Sequence, residues 1–339
     1  MADRYERQVL FHGIGKEGQE KIGKSCAVVI GCGALGGIIA NCLVRAGVGT
    51  VRIIDRDFIE YNNLHRQLLF DENDIKDQLP KAVAAERHLK TINSSIKVEG
   101  IVADLNSANI EKLIDGATVI LDALDNYESR YLINDAALKH KIPWVYGGVI
   151  AASGMTMTFI PGETPCFRCI MPSPPAPARI QTCDTVGVLN SAPFIVGSIQ
   201  SAEAIKIMVG ASEKINKYLI SLDIWEGVFH RISPGKTSRP DCPACQGHYE
   251  YLEAETGFRT AVLCGHDSVQ IYNPMSPGIP LDALAKRLKP SGEVTYNDYM
   301  LRFLVEGKEM VIFPDARAII KETRDESLAR SLYAKYIGM

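Results

Sequence analysis

The stretch Ala27-Val28-Val29-Ile30-Gly31-Cys32-Gly33-Ala34-Leu35-Gly36 decides the fold of this chain. Its first four residues are apolar and predict a buried strand, and the spacing Gly-x-Gly-x-x-Gly then predicts a tight turn and a helix to about Ala46. Gly31, Gly33 and Gly36 let the backbone approach a phosphate chain, and the helix N-terminus favours negative charge. The stretch therefore indicates a nucleotide site, with NAD, FAD and ATP all open.

The segments that follow alternate between strand and helix patterns. Apolar runs predict the strands, and helical periodicity predicts the helices between them. The predicted strands are 27–30, 51–55, 97–102, 119–122 and 145–148, and the predicted helices are 81–92 and about 129–140. A repeated βαβ order is typical of α/β proteins, so we expect a Rossmann-like, doubly wound, mostly parallel sheet.

The pattern changes after about residue 150. Strands are predicted at 154–160 and 218–223, and a long helix at 193–209 has Pro193 as a candidate for its first position. Residues 171–178 contain four prolines, which exclude a helix or a central strand and predict an exposed loop.

A boundary near 247–257 separates a small α+β appendage of about 80 residues, a normal domain size. Its predicted strands are 260–263, 269–271, 299–305 and 310–313, and its predicted helices are 281–288 and 328–336. We therefore expect a main domain at 1–250 and a small C-terminal domain at 257–339.

The composition is that of an ordinary globular protein. Of 339 residues, 46% are hydrophobic and 23% are charged, which excludes wholesale disorder. With 37 Lys and Arg against 40 Asp and Glu, the net charge of −3 does not favour nucleic acid or anionic membranes as partners. The uncharged stretch 25–44 holds four glycines and Asn41, and so favours a strand, a turn and a helix over a membrane span. We expect a cytoplasmic protein without a secretory signal.

Charged and polar residues follow the ends of the predicted strands. Asp55 lies where a carboxylate accepts ribose hydroxyl protons, and cationic side chains after the second strand neutralise a triphosphate better than a dinucleotide. Asp125 follows the strand that ends at Asp122 and is a natural Mg²⁺ ligand. The candidate nucleotide set is Asp55, Asp57, Asn63, Arg66, Gln67 and Lys81.

The nine cysteines include two Cys-x-x-Cys pairs. The pairs are Cys166 with Cys169, and Cys242 with Cys245. Two thiolate pairs suit a closed tetrahedral zinc site, with a redox dithiol as the alternative. Such a zinc ion would tether distant segments of the second half of the chain.

Cys183 follows the proline-rich loop. An exposed thiol beside such a loop could act as a nucleophile once deprotonated, but the residue alone equally fits an ordinary loop thiol.

In this order the motifs resemble those of the ThiF/MoeB family, bacterial relatives of the ubiquitin-activating enzymes. The resemblance covers roughly residues 3–250. The matching motifs are Arg4-Tyr5-x-Arg7-Gln8, Gly31-x-Gly33-x-x-Gly36, Asp55-x-Asp57, Asn63-Leu64-x-Arg66-Gln67, Pro80-Lys81, Asp125-Asn126 and the two Cys-x-x-Cys pairs. The resemblance implies that MgATP is used to adenylate the terminal glycine of a small ubiquitin-like sulfur-carrier protein ending in Gly-Gly, with release of pyrophosphate.

The resemblance also implies roles for single residues. Asp55 would hold the ribose, Asp125 would ligate Mg²⁺, and Arg7 would reach the phosphates of the partner subunit in a homodimer. Cys183 matches a cysteine that becomes covalently linked to the carrier tail. The implied phosphate ligands are Asn63, Arg66 and Lys81, with Gln67 close to them. Leu124 stands where many members have threonine, so a side-chain hydrogen bond there is not expected.

Three other functions remain open at this stage. The appendage resembles the extension of thiazole-biosynthesis ThiF proteins, and this favours a ThiS-like carrier over a molybdopterin-synthase carrier of the MoaD type. A sulfur-donor protein is a further possible partner. An NAD-dependent oxidoreductase is disfavoured by Asn63, Arg66 and Lys81, and a non-catalytic scaffold is disfavoured by the complete charged set.

Overall fold

The computed structural model describes residues 4–175, 183–235, 239–254, 259–263, 267–273 and 278–338. The chain forms two compact units. The first comprises Met1–Gln181 and Val186–Ala254, and the second comprises Thr182–Thr185 and Glu255–Met339.

The first unit is built on an eight-stranded sheet with the order β3-β2-β1-β4-β5-β6-β7-β8. Its strands are β1 (Cys26–Ile30), β2 (Thr50–Asp55), β3 (Lys97–Val102), β4 (Val119–Asp122), β5 (Trp144–Ile150), β6 (Ser153–Phe159), β7 (Leu219–Asp223) and β8 (Val228–Ile232). Strands β1 to β5 pair in parallel, and β6, β7 and β8 add antiparallel pairs. The predicted Rossmann-like, mostly parallel sheet is confirmed.

The order of the parallel strands reverses at β1, which lies between β2 and β4. In open α/β sheets, ligands bind beyond the carboxyl ends of the strands at such a switch point. The glycine turn follows β1, and Asp55 ends β2. The topology thus brings to one edge the residues that the sequence singled out.

Ten helices of the described chain precede the last strand of this sheet. They are α1 (Glu6–Val9), α2 (Gly15–Lys24), α3 (Ala34–Ala46), α4 (Glu72–Lys76), α5 (Lys81–Ile92), α6 (Ile110–Leu113), α7 (Tyr127–His140), α8 (Phe167–Ile170), α9 (Cys183–Val186) and α10 (Ser191–Val209). The buried strand β1 and helix α3 confirm that 25–44 is a strand, a turn and a helix.

Helix α10 is long and apolar enough to span a bilayer, but half of that stretch is buried inside the protein, as in a core helix. The prediction that Pro193 is the first residue of this helix is wrong, because the helix begins two residues earlier, at Ser191. Asn190 is the N-cap and Pro193 is the third residue, where a backbone N–H still has no partner within the helix.

The second unit contains a six-stranded antiparallel sheet with the order β11-β12-β13-β14-β10-β9. The strands are β9 (Arg259–Leu263), β10 (Ser268–Tyr272), β11 (Glu293–Tyr296), β12 (Leu301–Val305), β13 (Lys308–Ile312) and β14 (Ala318–Lys321). Two amphipathic helices pack their apolar faces on it, α11 (Leu281–Leu288) and α12 (Glu326–Tyr336). The unit therefore has a hydrophobic core of its own, centred on residues such as Phe303 and Tyr333.

Candidate nucleotide site and cysteine cluster

The three glycines of the turn between β1 and α3 serve different purposes. Gly31 has a φ of +94°, and a Cβ there would lie 2.6 Å from the carbonyl oxygen of Ala123. A Cβ on Gly36 would lie 1.9 Å from the carbonyl oxygen of Gly31. A Cβ on Gly33 would meet only the Gln67 amide nitrogen, at 3.8 Å. The protein itself requires Gly31 and Gly36, whereas the open space at Gly33 fits a phosphate chain.

Asp55 links the glycine turn to the end of β2. Its Oδ2 accepts a hydrogen bond from the backbone N–H of Cys32 at 2.6 Å, and its Oδ1 accepts one from the N–H of Asp57 at 2.7 Å. Burial raises the pKa of this carboxyl group, and these two N–H groups and the Lys81 ammonium act against that rise. Asp55 is therefore held rigidly at the base of the turn.

Lys81 is the first residue of α5 and is buried. Its Nζ lies 3.2 Å from Oδ2 of Asp57, and its backbone N–H donates to the Asp57 carbonyl at 2.9 Å. Burial alone would lower the pKa of Lys81, but Asp57, Asp55 and Asp125 outweigh it and raise the pKa to about 12. Lys81 is thus a fixed positive charge at the sheet edge.

The Asn63–Gln67 segment follows β2 as a short 3-10 turn over Tyr61–Asn63. Asn63 is buried, and its Oδ1 accepts the N–H of Glu60 at 3.2 Å. The Arg66 guanidinium donates to the carbonyl of Asn62 at 2.6 Å. Gln67 is 4% exposed, and its buried Oε1 has no hydrogen-bond partner among the described residues. The Gln67 amide nitrogen is the group nearest the open side of Gly33, and is the donor that a ligand there would meet.

Asp125 lies three residues beyond the end of β4 and is exposed. Its charge acts on both Lys81 and Arg56, raising the pKa of each side chain. Part of the predicted nucleotide set thus converges at one edge of the sheet. Asp57 contacts both Asp55 and Lys81, the Gln67 amide lies beside Gly33, and the charge of Asp125 acts on Lys81. An exposed carboxylate beside cations fits a Mg²⁺ ion shared with phosphates.

Sequence reasoning missed several buried polar residues below Asp125. Arg130 on α7 binds the carboxylate of Asp122, and Gln200 on α10 donates to the carbonyl of Asp122. The burial of these two residues becomes apparent only in the structure. The helix faces that carry them also bury other polar residues, such as Asn134 and Glu203, so the sequence pattern does not single them out.

The four predicted zinc ligands cluster within the first unit. Their Sγ atoms all lie within 4.8 Å of one another. The Sγ distances are 3.7 Å for Cys166–Cys169, 3.6 Å for Cys166–Cys242 and 3.5 Å for Cys169–Cys245. Tetrahedral zinc with bonds of about 2.3 Å places its sulfurs about 3.8 Å apart. The donor set and the spacing therefore fit a structural zinc ion.

Two predicted residues are not brought to this edge by the described chain. Arg7 is exposed on α1, and this short helix is anchored by Gln8, whose amide donates to the Ala46 carbonyl at 2.8 Å. Cys183 begins α9, but its side chain lies outside the described part of the structure. The proline-rich loop is described only as far as Pro175, and Cys264 also lies outside the described residues.

Comparison with known proteins identifies the class to which this fold and site belong. The model of the ThiF family matches residues 5–244. The chain belongs to the ThiF family.

A relative from Bacillus subtilis, the sulfur carrier protein ThiS adenylyltransferase, is 42% identical over 340 residues and is matched along the whole of both chains. The sulfur carrier protein adenylyltransferase of Thermus thermophilus is 36% identical over 248 residues, which covers 72% of this chain and 90% of that protein. The match to the first relative thus includes the C-terminal unit, and the match to the second does not span the whole chain.

Among solved structures, Escherichia coli MccB with ATP superposes with a TM-score of 0.61 at 23% identity. The superposition covers 72% of this chain and 75% of MccB. At this identity the likeness shows the shared fold alone.

Proposed function

We propose that this protein is an ATP-dependent adenylyltransferase that activates the C-terminal glycine carboxylate of a ThiS-like sulfur-carrier protein for thiamin thiazole biosynthesis. The observation that carries the proposal is the convergence of the open Gly33 position with Lys81, Gln67 and Asp55 at the switch point of the sheet. The full-length similarity to the Bacillus subtilis enzyme supports the choice of carrier.

Each residue of the edge has a proposed part in ATP binding. The Asp55 carboxylate accepts hydrogen bonds from the ribose hydroxyls. It does so with the lone pairs that are not used by its two hydrogen bonds from backbone N–H groups. The β- and γ-phosphates lie along the open side of Gly33 and are bound by Lys81, Arg66 and the amide of Asn63. The Gln67 amide nitrogen, which lies beside the open side of Gly33, donates to the same phosphates.

The chemistry requires positioning more than acid–base catalysis. The carrier's terminal carboxylate is ionised at neutral pH, so it needs no general base. One of its oxygens attacks the α-phosphorus in line, the bond to the bridging oxygen breaks, and pyrophosphate leaves. Lys81 and Arg66 stabilise the negative charge that gathers on the leaving group. The product is a carrier acyl-adenylate.

Two metal ions belong to this proposal. Asp125 would hold Mg²⁺, which neutralises phosphate charge when bound. The zinc ion would be held by Cys166, Cys169, Cys242 and Cys245, and its part is structural because four thiolates leave no open coordination position.

The remaining parts of the proposal concern assembly. We propose a cytoplasmic homodimer in which Arg7 reaches the phosphates bound by the partner subunit. Residues 1–250 form the adenylating domain, and 257–339 form a small C-terminal domain. The Cys183 thiolate attacks the acyl carbonyl of the carrier adenylate and displaces AMP, which leaves the carrier tail as a thioester on Cys183, and a sulfur-donor protein completes the transfer.

The test is pyrophosphate–ATP exchange with purified ThiS-like carrier. We expect exchange that requires Mg²⁺ and is lost when the last glycine of the carrier is deleted. A MoaD-like carrier is the specificity control and should support much slower exchange. Exchange with neither carrier would disprove the proposed activity, and faster exchange with the MoaD-like carrier would reassign the pathway.

A further inference from the structure

A buried arginine is hydrogen-bonded to Leu124, the residue before the proposed magnesium ligand. Arg130, on the first turns of α7, is 5% exposed. Its guanidinium is flanked by the rings of Tyr127 and Tyr146, whose centroids lie 5.5 and 5.0 Å from its Cζ. The rings shield the group from water, so its hydrogen bonds are strong and specific.

Arg130 and Asp122 together fix the backbone of Leu124. The Arg130 Nε lies 3.0 Å from Oδ2 of Asp122, and its Nη2 donates to the carbonyl of Leu124. The other oxygen of Asp122 accepts the N–H of Leu124 at 2.9 Å. Both backbone polar groups of Leu124 are therefore held by one buried ion pair, and the next residue is Asp125.

The same arginine also joins two strands where their pairing stops. Strands β4 and β5 pair only at Ile120–Trp144 and Leu121–Val145. Beyond that point Arg130 donates to the Gly147 carbonyl at 2.9 Å.

Gln200 completes this junction. Its amide nitrogen donates to the carbonyls of Asp122 at 2.8 Å and Val145 at 3.2 Å. A Cβ on Gly147 would lie 2.4 Å from the Gln200 amide oxygen, so a larger residue there would displace the Gln200 amide. Side chains, not backbone pairing, set the separation of the strand ends on which the loop carrying Asp125 rests.

We infer that Arg130 is a positioning residue for magnesium. It fixes the Leu124 backbone and thereby places the Asp125 carboxylate where the metal and the phosphates meet. This inference rests on the proposed role of Asp125.

The experiment is calorimetric titration of α,β-methylene-ATP at a series of Mg²⁺ concentrations. Arg130→Lys keeps the charge but cannot reach three acceptors at once. Mg²⁺ should strengthen binding of the analogue, and we expect the Mg²⁺ concentration at which half of this gain is reached to rise roughly tenfold in Arg130→Lys. A tenfold change corresponds to about 1.4 kcal/mol. Affinity for the analogue without Mg²⁺ should stay within about twofold of wild type.

Arg52→Lys is the matched control. Arg52 also binds one carboxylate and two carbonyls, those of Glu99, Leu113 and Asp115, but away from the site. We expect a similar loss of thermal stability with unchanged Mg²⁺ dependence. If Arg130→Lys shifts the Mg²⁺ dependence no more than Arg52→Lys, the inference is wrong.

Two further variants keep the test decisive. Should Arg130→Lys not fold, Asp122→Asn with Arg130→Gln removes both buried charges together and leaves neither unpaired. This double variant should show the same Mg²⁺ shift, and a wild-type Mg²⁺ dependence would overturn the inference.

In an Asp125→Ala background, Arg130→Lys should cause no additional shift, because the group it positions is gone. An additional shift of full size would mean that Arg130 acts otherwise than through Asp125. These titrations use no carrier protein. A failure of the proposed carrier adenylation can therefore be distinguished from a failure of this inference.

Discussion

Two regions of the first unit bring together residues that are distant in sequence, but different interactions hold them. One is the edge of the sheet with Asp55, Asp57 and Lys81, here called the proposed nucleotide edge, and the other is the cluster of four cysteines. At the nucleotide edge, Asp55 already accepts two backbone amides and Lys81 already pairs with Asp57. At the cluster, four Sγ atoms crowd together within 4.8 Å of one another. Burial raises the pKa of the Cys166 thiol, so thiolates there need a cation beside them.

This difference distinguishes a site that binds a ligand from a site that stabilises the folded protein. The nucleotide edge is preorganised by the protein's own hydrogen bonds, so changes on its open side should affect ligands more than stability. The proposed zinc ion would hold the cluster together, so changes there should affect folding first.

The largest expected effect is on the cluster. Structural zinc contributes on the order of 10 kcal/mol to small zinc domains, and we expect Cys242→Ser to lose the metal and a large part of the stability of the first unit. Metal analysis and thermal unfolding measure both. Cys42→Ser, on α3 outside the cluster, is the control and should keep both. Zinc-free wild-type protein of full stability would refute the structural role.

The next effect is catalytic. Asp125→Ala should reduce carrier-dependent pyrophosphate exchange about 10²- to 10³-fold, because a group that organises transition-state charge is removed. Its unfolding transition should stay at the wild-type temperature, since Asp125 is exposed. Glu128→Ala, an exposed acid on the first turn of α7, is the matched control and should retain exchange. Near-normal exchange in Asp125→Ala would remove Asp125 from the site.

Within the six residues of the glycine turn, one glycine can be tested for its effect on stability and another for its effect on nucleotide binding. Gly36→Ala forces a Cβ to 1.9 Å from the Gly31 carbonyl oxygen, and we expect it to destabilise the protein by about 3 kcal/mol. Gly33→Ala meets no such contact and should cost less than about 1 kcal/mol while weakening ATP binding at least tenfold.

Chemical denaturation and calorimetric ATP binding, measured on both variants, give the two quantities. The reverse pattern, with Gly33→Ala unfolded or still binding ATP normally, would contradict the assignment of the open space to phosphate.

The smallest effect concerns a carboxyl group near the cluster. Asp135 accepts the N–H of Tyr251 at 3.0 Å, and burial raises its pKa from 3.8 to about 6. The native state therefore holds this proton more tightly than the unfolded state does. The associated stability is present below about pH 4 and is lost as the pH rises through about 6, by at most about 3 kcal/mol.

Asp135→Asn provides the reference because it does not titrate. The free energy of unfolding of wild type, relative to Asp135→Asn, should fall between pH 4 and pH 7. A difference that stays flat across this range would show that the carboxyl group keeps its ordinary pKa.

The local sequence predicted the parts of the fold that local rules govern. Helix α5 and strands β3 and β4 have the predicted bounds, since apolar periodicity and flanking residues such as Pro80 and Asp122 mark them. Strand β8 was missed because both of its faces are exposed, so Val228–Ile232 lacks the alternation of a half-buried strand. Strands β11 and β14 were also missed.

Some residues of the candidate site could also be predicted from the sequence, and others could not. Lys81 and Asp55 could be predicted because the carboxyl ends of neighbouring parallel strands meet at one edge. Arg130 and Gln200 could not, because most of their partners are backbone carbonyls that only the fold brings close, those of Leu124 and Gly147 for Arg130 and those of Asp122 and Val145 for Gln200. The different purposes of Gly33 and Gly36 also needed coordinates, since identical residues in one motif carry no information on what surrounds each of them.

A crystal structure with Mg²⁺ and α,β-methylene-ATP tests the central claim most directly. The account predicts phosphates along the open side of Gly33, within hydrogen-bond distance of Lys81 and Gln67, with the metal on Asp125 and the glycine turn unmoved. A nucleotide bound elsewhere, or a turn that must rebuild to admit it, would contradict the claim that this edge is preorganised for ATP.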